Sequence, residues 1–125
     1  MRELQIVESK KVIKIAKWFS KSNIIGTQFM YWLFVNDVKR WEDYKNKNNM
    51  HWRHENIHFR QGKELLFVGF WFLYVLNYLI NLFRFNFDKR KAYKKIAFEQ
   101  EAHYNDGKTR YLSSRKKFNW TKWIT

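Results

Sequence analysis

The residues with the clearest chemical potential lie between positions 54 and 58, where two histidines flank a glutamate. The segment reads His54, Glu55, Asn56, Ile57, His58. On an α-helix the two histidines lie one turn apart, so both imidazoles can reach one point and share a metal ion. Glu55 lies next to His54, where a carboxylate can take a proton from a metal-activated water. The spacing therefore predicts metal-assisted hydrolysis, with His54 and His58 as ligands and Glu55 as general base.

The same residues also fit a surface helix that carries two solvated histidines and a glutamate. His51, one turn before His54, favours this simpler interpretation because it makes the stretch generally rich in histidine. His51 could also support a ligand or face a substrate. A catalytic zinc usually has three protein ligands and one open position, so a third ligand on another helix is the test within the sequence.

Residues 92–104 supply candidates for the third ligand, since they include Glu99, Glu101 and His103. Two carboxylates two positions apart on a helix point about 200° apart, so only one of them can face the site. Glu99 borders the apolar face of this helix and is the favoured ligand. We expect Glu101 to be solvated or to support a ligand, and His103 to point at the metal or substrate or to be a surface histidine.

The order H-E-x-x-H and then F-E-x-x-A resembles the gluzincins, in particular the CAAX-prenyl-protein endopeptidases and heat-shock membrane proteases. In that group the third zinc ligand is the glutamate of an E-x-x-A-D segment. The resemblance implies a zinc peptidase in which His54, His58 and Glu99 hold the metal. The final aspartate of the family segment is His103 here, and Asp106 is a possible substitute at a spacing that does not match.

Several residues near the two motifs could support a ligand or stabilise the oxyanion of a transition state. They are His51, Glu101, His103 and Tyr104, with Tyr93 as a further oxyanion candidate. The sequence alone does not choose among them.

The composition limits the classes of partner. The net charge is +14, from 25 basic and 11 acidic residues, which suits an acidic partner such as nucleic acid, an anionic membrane surface or an acidic assembly. No nucleic-acid-binding motif is present, so nucleic acid is not favoured and a solvated basic surface is the default. The chain has no cysteine, which excludes disulfides and thiolate ligands.

Residues 65–83 form an uncharged apolar run that would measure roughly 28 Å as a helix, close to the thickness of a bilayer core. A straight membrane span would place His58 and Glu99 on opposite sides, so a span and a shared metal site exclude each other. We favour the metal site, and Asn77 and Asn81 within the run support that choice. The run should then bend back, lie in a membrane interface, or be buried against protein partners or other copies of the chain.

Elements before the motif can be read coarsely. Residues 10–20 predict a basic amphipathic helix, and residues 24–35 predict a strand pair or one long strand. The resemblance implies that this strand region borders the cleft. Residues 37–49 read as a charged connection. The start of the chain lacks the apolar run of a secretory signal, so we expect no export by that route.

Elements after the motif complete the prediction. The motif helix should begin near Asn49, continue through the apolar run and turn near residues 86–88. A third helix should cover residues 90–104 and end at Asn105 and Asp106, with Gly107 as a left-handed cap. The rest, up to residue 125, is a basic aromatic tail that could dock on a partner.

Together these observations predict a mainly α fold of the α+β kind, one minimal zincin-like domain over residues 1–125 with a basic aromatic tail at 106–125. The predicted function is a zinc peptidase acting on a peptide or protein. The alternative is a structural or assembly subunit of a virion or membrane complex that retains the metal site without enzymatic activity.

Overall fold

The structure is a computed structural model that describes residues 4–21, 24–29 and 31–124. Residue 30 of the predicted strand region and residue 125 of the predicted tail lie outside this part. Helices predominate: α1 (Lys10–Ser20), α2 (Val38–Asn46), α3 (Met50–Glu64), α4 (Val68–Arg84), α5 (Lys89–Lys94), α6 (Ala97–Asn105), α7 (Tyr111–Ser114) and a 3-10 helix (Asn119–Trp123). The strands are β1 (Gln5–Glu8), β2 (Gly26–Phe29) and β3 (Trp32–Val35). The predicted class, mainly α with a small β component, is confirmed.

The three strands form one sheet in the order β1-β3-β2, with β1 parallel and β2 antiparallel to β3. The predicted strand region is therefore a strand pair, and β1 was not predicted. Leu33 and Val35 of the central strand alternate into a core cluster with Trp41. Gly26 permits this packing, because a Cβ atom there would lie 2.5 Å from Cζ2 of Trp41.

The segment predicted as a charged connection is helix α2. Asp37 caps it by accepting a hydrogen bond from the backbone N–H of Arg40. Trp41 is its one buried residue, and the indole N–H donates to the carbonyl of Ile25 at 3.1 Å. Val38 and Tyr44 pack against the same cluster as Trp41, three positions to either side of it, so this spacing and the Asp37 cap were usable signals of a helix.

The prediction that the motif helix continues through the apolar run is wrong. Helix α3 ends at Glu64, and the chain is bent by 112° before α4. Leu66 and Phe67 have positive φ angles, which bulky residues rarely adopt. The bend seats Phe67 over Gly62, where a Cβ atom would lie 2.7 Å from the Phe67 ring. Among the described residues no single helix is long and apolar enough to cross a membrane, and α3 and α4 meet that test only when joined across the bend.

The predicted third helix is two helices, α5 and α6, which are separated at Lys95 and Ile96. Asn77 of α4 accepts a hydrogen bond from the first N–H of α6, and Asn81 donates to the carbonyl of Ala92. The predicted turn between α4 and α5 is present, with Asn86 and Phe87 at positive φ. Helix α6 does end at Asn105, but Gly107 is not left-handed, so that part of the prediction is wrong.

The predicted tail packs against the rest of the chain instead of extending from it. Trp120 of the 3-10 helix belongs to the main core cluster, beside Phe70, Ile96 and Phe98. Arg115 is buried in ion pairs with Glu64 and Glu101. The last turns of the chain therefore pack on α6, and Arg115 joins α6 to the end of α3.

Candidate metal centre

Helix α3 carries the H-E-x-x-H residues on a buried face. Asn49 caps the helix, as predicted, by accepting a hydrogen bond from the N–H of His51 at 2.8 Å. Glu55 and His58 are buried, and His54 is nearly so. Helix α6 packs against this face, which brings Glu99 to the two histidines across about forty residues of sequence.

Three candidate ligand atoms converge between α3 and α6, and we call the residues that carry them, His54, His58 and Glu99, the ligand cluster. Nε2 of His54 and Nε2 of His58 are 3.2 Å apart, and Oε1 of Glu99 lies 3.4 Å from the first and 3.0 Å from the second. Zinc bonds of about 2.0–2.1 Å in tetrahedral geometry separate neighbouring ligand atoms by about 3.4 Å. The cluster is therefore close enough and of the right size to hold a metal ion.

Each histidine has its other ring nitrogen held by a hydrogen bond. Nδ1 of His54 lies 3.0 Å from Oδ2 of Asp106, which is acceptor only. Nδ1 of His58 lies 2.8 Å from Oε1 of Gln61, and the Gln61 amide is oriented by donating to the carbonyl of Phe98 and to Glu101. Both Nδ1 atoms must then carry the proton, so both Nε2 lone pairs face the common point.

Asp106, the possible substitute for the aspartate that the resemblance expects at position 103, bonds the ring of His54. It follows Asn105, the last residue of α6, and lies three positions beyond His103. His103 itself is half exposed at the edge of the cluster, with its Nε2 atom 3.8 Å from Oε1 of Glu99. His54, His103 and Asp106 also lie close enough together to hold an ion, but that group shares His54 with the first.

Of the two alternatives for Glu101, the structure disagrees with a solvated side chain, and Glu101 contacts the Gln61 amide that bonds His58. Its carboxylate is fully buried and receives hydrogen bonds from Gln61, Tyr111 and Arg115. Burial raises the pKa of Glu101, but hydrogen bonds from Arg115 and the other two donors outweigh burial and lower that pKa. Arg115 also bonds both oxygens of Glu64. We call Glu64, Glu101 and Arg115 the arginine clamp.

Two tyrosines hold the other side of the Glu99 carboxylate. The hydroxyl of Tyr74 donates to Oε2 at 2.6 Å, and Tyr93 also interacts with Glu99. Burial and the nearby Glu99 charge raise the pKa of both phenols well above the usual value, so both stay protonated donors. Burial raises the pKa of Glu99, but His58 and His54 outweigh burial and hold that pKa well below its usual range.

Glu55 lies beside the ligands and is not one of them. Its Oε2 atom is buried and has no hydrogen-bond partner within the part of the chain that the structure describes. Burial raises the pKa of Glu55 to about 7, against the opposing effect of the two histidines. An unpaired buried carboxylate with a pKa near neutrality is suited to exchanging protons with a bound molecule.

The histidines titrate as part of the same cluster. Burial lowers the pKa of His54, but hydrogen bonds to Asp106 and Glu99 outweigh burial and raise that pKa to about 10. The pKa of His58 is also raised, because Glu99 outweighs the effect of burial. A proton on this histidine pair is thus the counter-charge of Glu99, and a metal ion at the same point would replace it.

A cavity of about 540 Å³ adjoins the ligand cluster. Its polar floor includes His54, Glu55, His58 and Glu99, and α1, β2 and α4 provide largely apolar walls. Strand β2 is at the edge of the sheet and borders the cavity, where the resemblance places the predicted strand.

Two predicted supporting residues lie elsewhere. His51 stacks on Tyr44, with ring centroids 5.1 Å apart, and does not join the ligand cluster. Tyr104 is 67% exposed and packs on Trp123. Tyr93, in contrast, lines the cavity beside Glu99.

Sequence reasoning missed Tyr74, Arg115 and the role of Gln61. Gln61 lies three positions after His58 on the same helix face, a spacing that could have revealed it. No comparable signal links Tyr74 or Arg115 to the site, because only tertiary packing brings them there.

Comparison with known proteins adds no assignment: the chain matches no family model, no curated protein and no solved structure.

Proposed function

We propose that this chain is a zinc-dependent peptidase whose metal is held by His54, His58 and Glu99. The observation that carries the proposal is the pair of fixed imidazoles: each Nδ1 is engaged, and each Nε2 faces one oxygen of Glu99. Two imidazoles and a carboxylate are a donor set typical of catalytic zinc, whereas magnesium and calcium prefer oxygen ligands. The resemblance to gluzincins points to the same ligands.

When bound, zinc would polarise a substrate carbonyl and lower the pKa of a coordinated water. Residues of the chain itself transfer the proton and position the substrate. Glu55 accepts the proton of the attacking water and can deliver it to the leaving amine, a task that suits its pKa of about 7. Tyr74 and Tyr93 contact Glu99 and orient its carboxylate. The edge strand β2 offers backbone groups to an extended peptide in the cavity.

The experiment is zinc analysis combined with a peptide-library digest of the wild type and of Glu55→Gln. We expect one zinc per chain in both proteins, with cleavage only by the wild type, because Glu55 is a base and not a ligand. Glu42→Gln, an exposed site on α2, is the matched control and should cleave like the wild type. Equal cleavage by Glu55→Gln, or no zinc in the wild type, would contradict the proposal.

A structural or assembly subunit is the second candidate function, because the outer face of α4 is apolar and exposed. In that case the metal would tie α3 to α6 without turnover. Zinc binding with no cleavage of any library peptide by the wild type would favour this candidate.

A further inference from the structure

The outward side of α4 is an uninterrupted apolar surface. Every large residue on it is apolar and between 42% and 79% exposed: Val68, Phe72, Val75, Leu76, Leu79, Ile80 and Phe83. These positions follow one another at intervals of three, four or one residues, so they lie on one helix face about 22 Å long. We call these seven residues the α4 face. A contiguous surface of this kind on a small protein marks an interaction site.

Helix α1 and strand β2 extend the α4 face on one side. Ile15, Trp18, Phe19 and Phe29 are all exposed apolar residues. The hydroxyl of Tyr78 in α4 donates to the carbonyl of Phe19 at 2.8 Å, which fixes the end of α1 beside α4. Phe29 packs on Trp71, with ring centroids 5.6 Å apart. Helices α1 and α4 and strand β2 thus form one apolar surface.

Basic side chains lie on α1, which carries part of this surface, and on α5, which packs on α1, and two of those on α5 contact aromatic rings. Nζ of Lys89 is 3.5 Å from the ring centroid of Trp18, and Lys91 lies 4.7 Å from that of Phe85. Lys14 and Lys17 are exposed on α1. Lysines that cover apolar surface with their stems and keep the ammonium group at the edge are typical of helices that lie in a lipid interface.

The net charge of the chain indicates which kind of partner binds to this apolar surface. With a net charge of +14, two copies of the chain repel each other when their apolar surfaces approach. An anionic lipid surface attracts the same charges. We propose that the α4 face, with Ile15, Trp18, Phe19 and Phe29, docks on an anionic lipid bilayer and lies in its interface.

The position of the cavity agrees with this orientation. Five exposed residues of the docking surface also line the cavity: Ile15, Phe19, Phe29, Val75 and Leu79. The mouth of the cavity therefore opens within the apolar surface. On a docked protein it faces the lipid, so molecules reach Glu55 and the ligand cluster from the bilayer side. The use of that route rests on the proposed function, whereas docking itself does not.

The test is co-sedimentation of the zinc-supplemented protein with phosphatidylcholine vesicles that do or do not contain phosphatidylserine. We expect binding to the phosphatidylserine vesicles that weakens as salt is raised. Phe72→Glu and Leu79→Glu should each weaken that binding about tenfold or more, since a charge replaces a group inserted in the interface. Ile124→Glu, an exposed apolar position outside the surface, is the control and should bind like the wild type.

Zinc content and the melting temperature are measured on the same samples, so loss of docking is separated from loss of the metal site or of the fold. Phe72→Glu and Leu79→Glu should keep both values. Absence of vesicle binding by the wild type, or equal weakening by Ile124→Glu, would overturn the proposal. So would a stable wild-type dimer that Phe72→Glu dissociates and that does not bind vesicles.

Discussion

Helix α6 contributes a buried carboxylate to two regions that differ in their counter-charge. In the arginine clamp, Glu101 and Glu64 share the guanidinium of Arg115, a cation that the chain supplies itself. In the ligand cluster, the polar partners of Glu99 among the described residues are histidines and tyrosine hydroxyls. Burying a carboxylate without a counter-charge is costly. The clamp is complete as the chain folds, whereas the ligand cluster needs a proton or a metal ion to complete it.

This difference assigns separate tasks to two residues only two positions apart. Glu101 stabilises the fold, because the arginine clamp joins α3, α6 and the last segment of the chain. Glu99 belongs to the candidate metal site, because its charge is balanced by a proton on the histidine pair that a metal ion can replace. Gln61 connects the regions, since one amide bonds both Glu101 and His58.

The largest effect should come from breaking the clamp. Arg115→Met leaves the buried carboxylates of Glu101 and Glu64 without their cation, which should reduce the free energy of unfolding by about 3–5 kcal/mol. Urea denaturation of the metal-free protein measures this. Arg110→Met removes an exposed arginine from the same segment and should change the free energy by less than about 0.5 kcal/mol. Equal effects of the two substitutions would show that the clamp is not structural.

The next effect should come from filling the ligand cluster. Zinc at about one hundred times its dissociation constant should raise the free energy of unfolding by about 2.7 kcal/mol. His58→Asn should strongly reduce that increase, because it removes one of the three ligands and leaves a weaker site. Arg110→Met should retain it. Zinc stabilisation of His58→Asn equal to that of the wild type would place the metal elsewhere.

A smaller effect is expected from the groups that orient the histidines. Asp106→Asn and Gln61→Met should each weaken zinc binding about 10–100-fold, since the ligands stay but their ring nitrogens lose support. Competition with a chromophoric chelator measures the affinity. Asp43→Asn, which alters an exposed ion pair on α2, should leave the affinity unchanged. Unchanged affinity in Asp106→Asn and Gln61→Met would mean that neither bond orients a ligand.

The measurement that separates the two regions most clearly is the pH dependence of stability. The pKa of His54 is raised to about 10 in the folded chain, so its contribution to stability is full below about pH 6.5 and is lost as pH rises toward 10. Zinc must displace that proton, so zinc affinity should rise over the same interval. Unfolding in chelator at several pH values should show the loss in the wild type and a smaller loss in His54→Asn. A loss of equal size in both would contradict this assignment.

The ligand cluster was predictable because helical periodicity sets it. His54 and His58 lie one turn apart on any helix, and the flanking apolar residues favoured Glu99 over Glu101. The groups that bond the two histidines were harder to predict from the sequence. Asp106 acts from the end of α6, and its reach depends on where that helix stops.

The features that escaped prediction depend on distant contacts. A bend was one expected alternative, but its place after Glu64 was not predicted, because it depends on Phe67 packing on Gly62 and in a cluster with Leu4. Strand β1 exists because it pairs with β3. Arg115 reads as one more basic residue of a charged tail until the fold buries it against Glu101.

The most direct test of the central claim is X-ray absorption at the zinc edge of the zinc-supplemented protein. The account predicts one zinc per chain with two imidazole nitrogens at about 2.0–2.1 Å and carboxylate oxygen at about 2.0–2.2 Å. The imidazole signal should fall to that of a single ring in His58→Asn. A zinc site without histidine scattering, or one that His58→Asn leaves unchanged, would contradict the assignment of His54, His58 and Glu99 as the ligands.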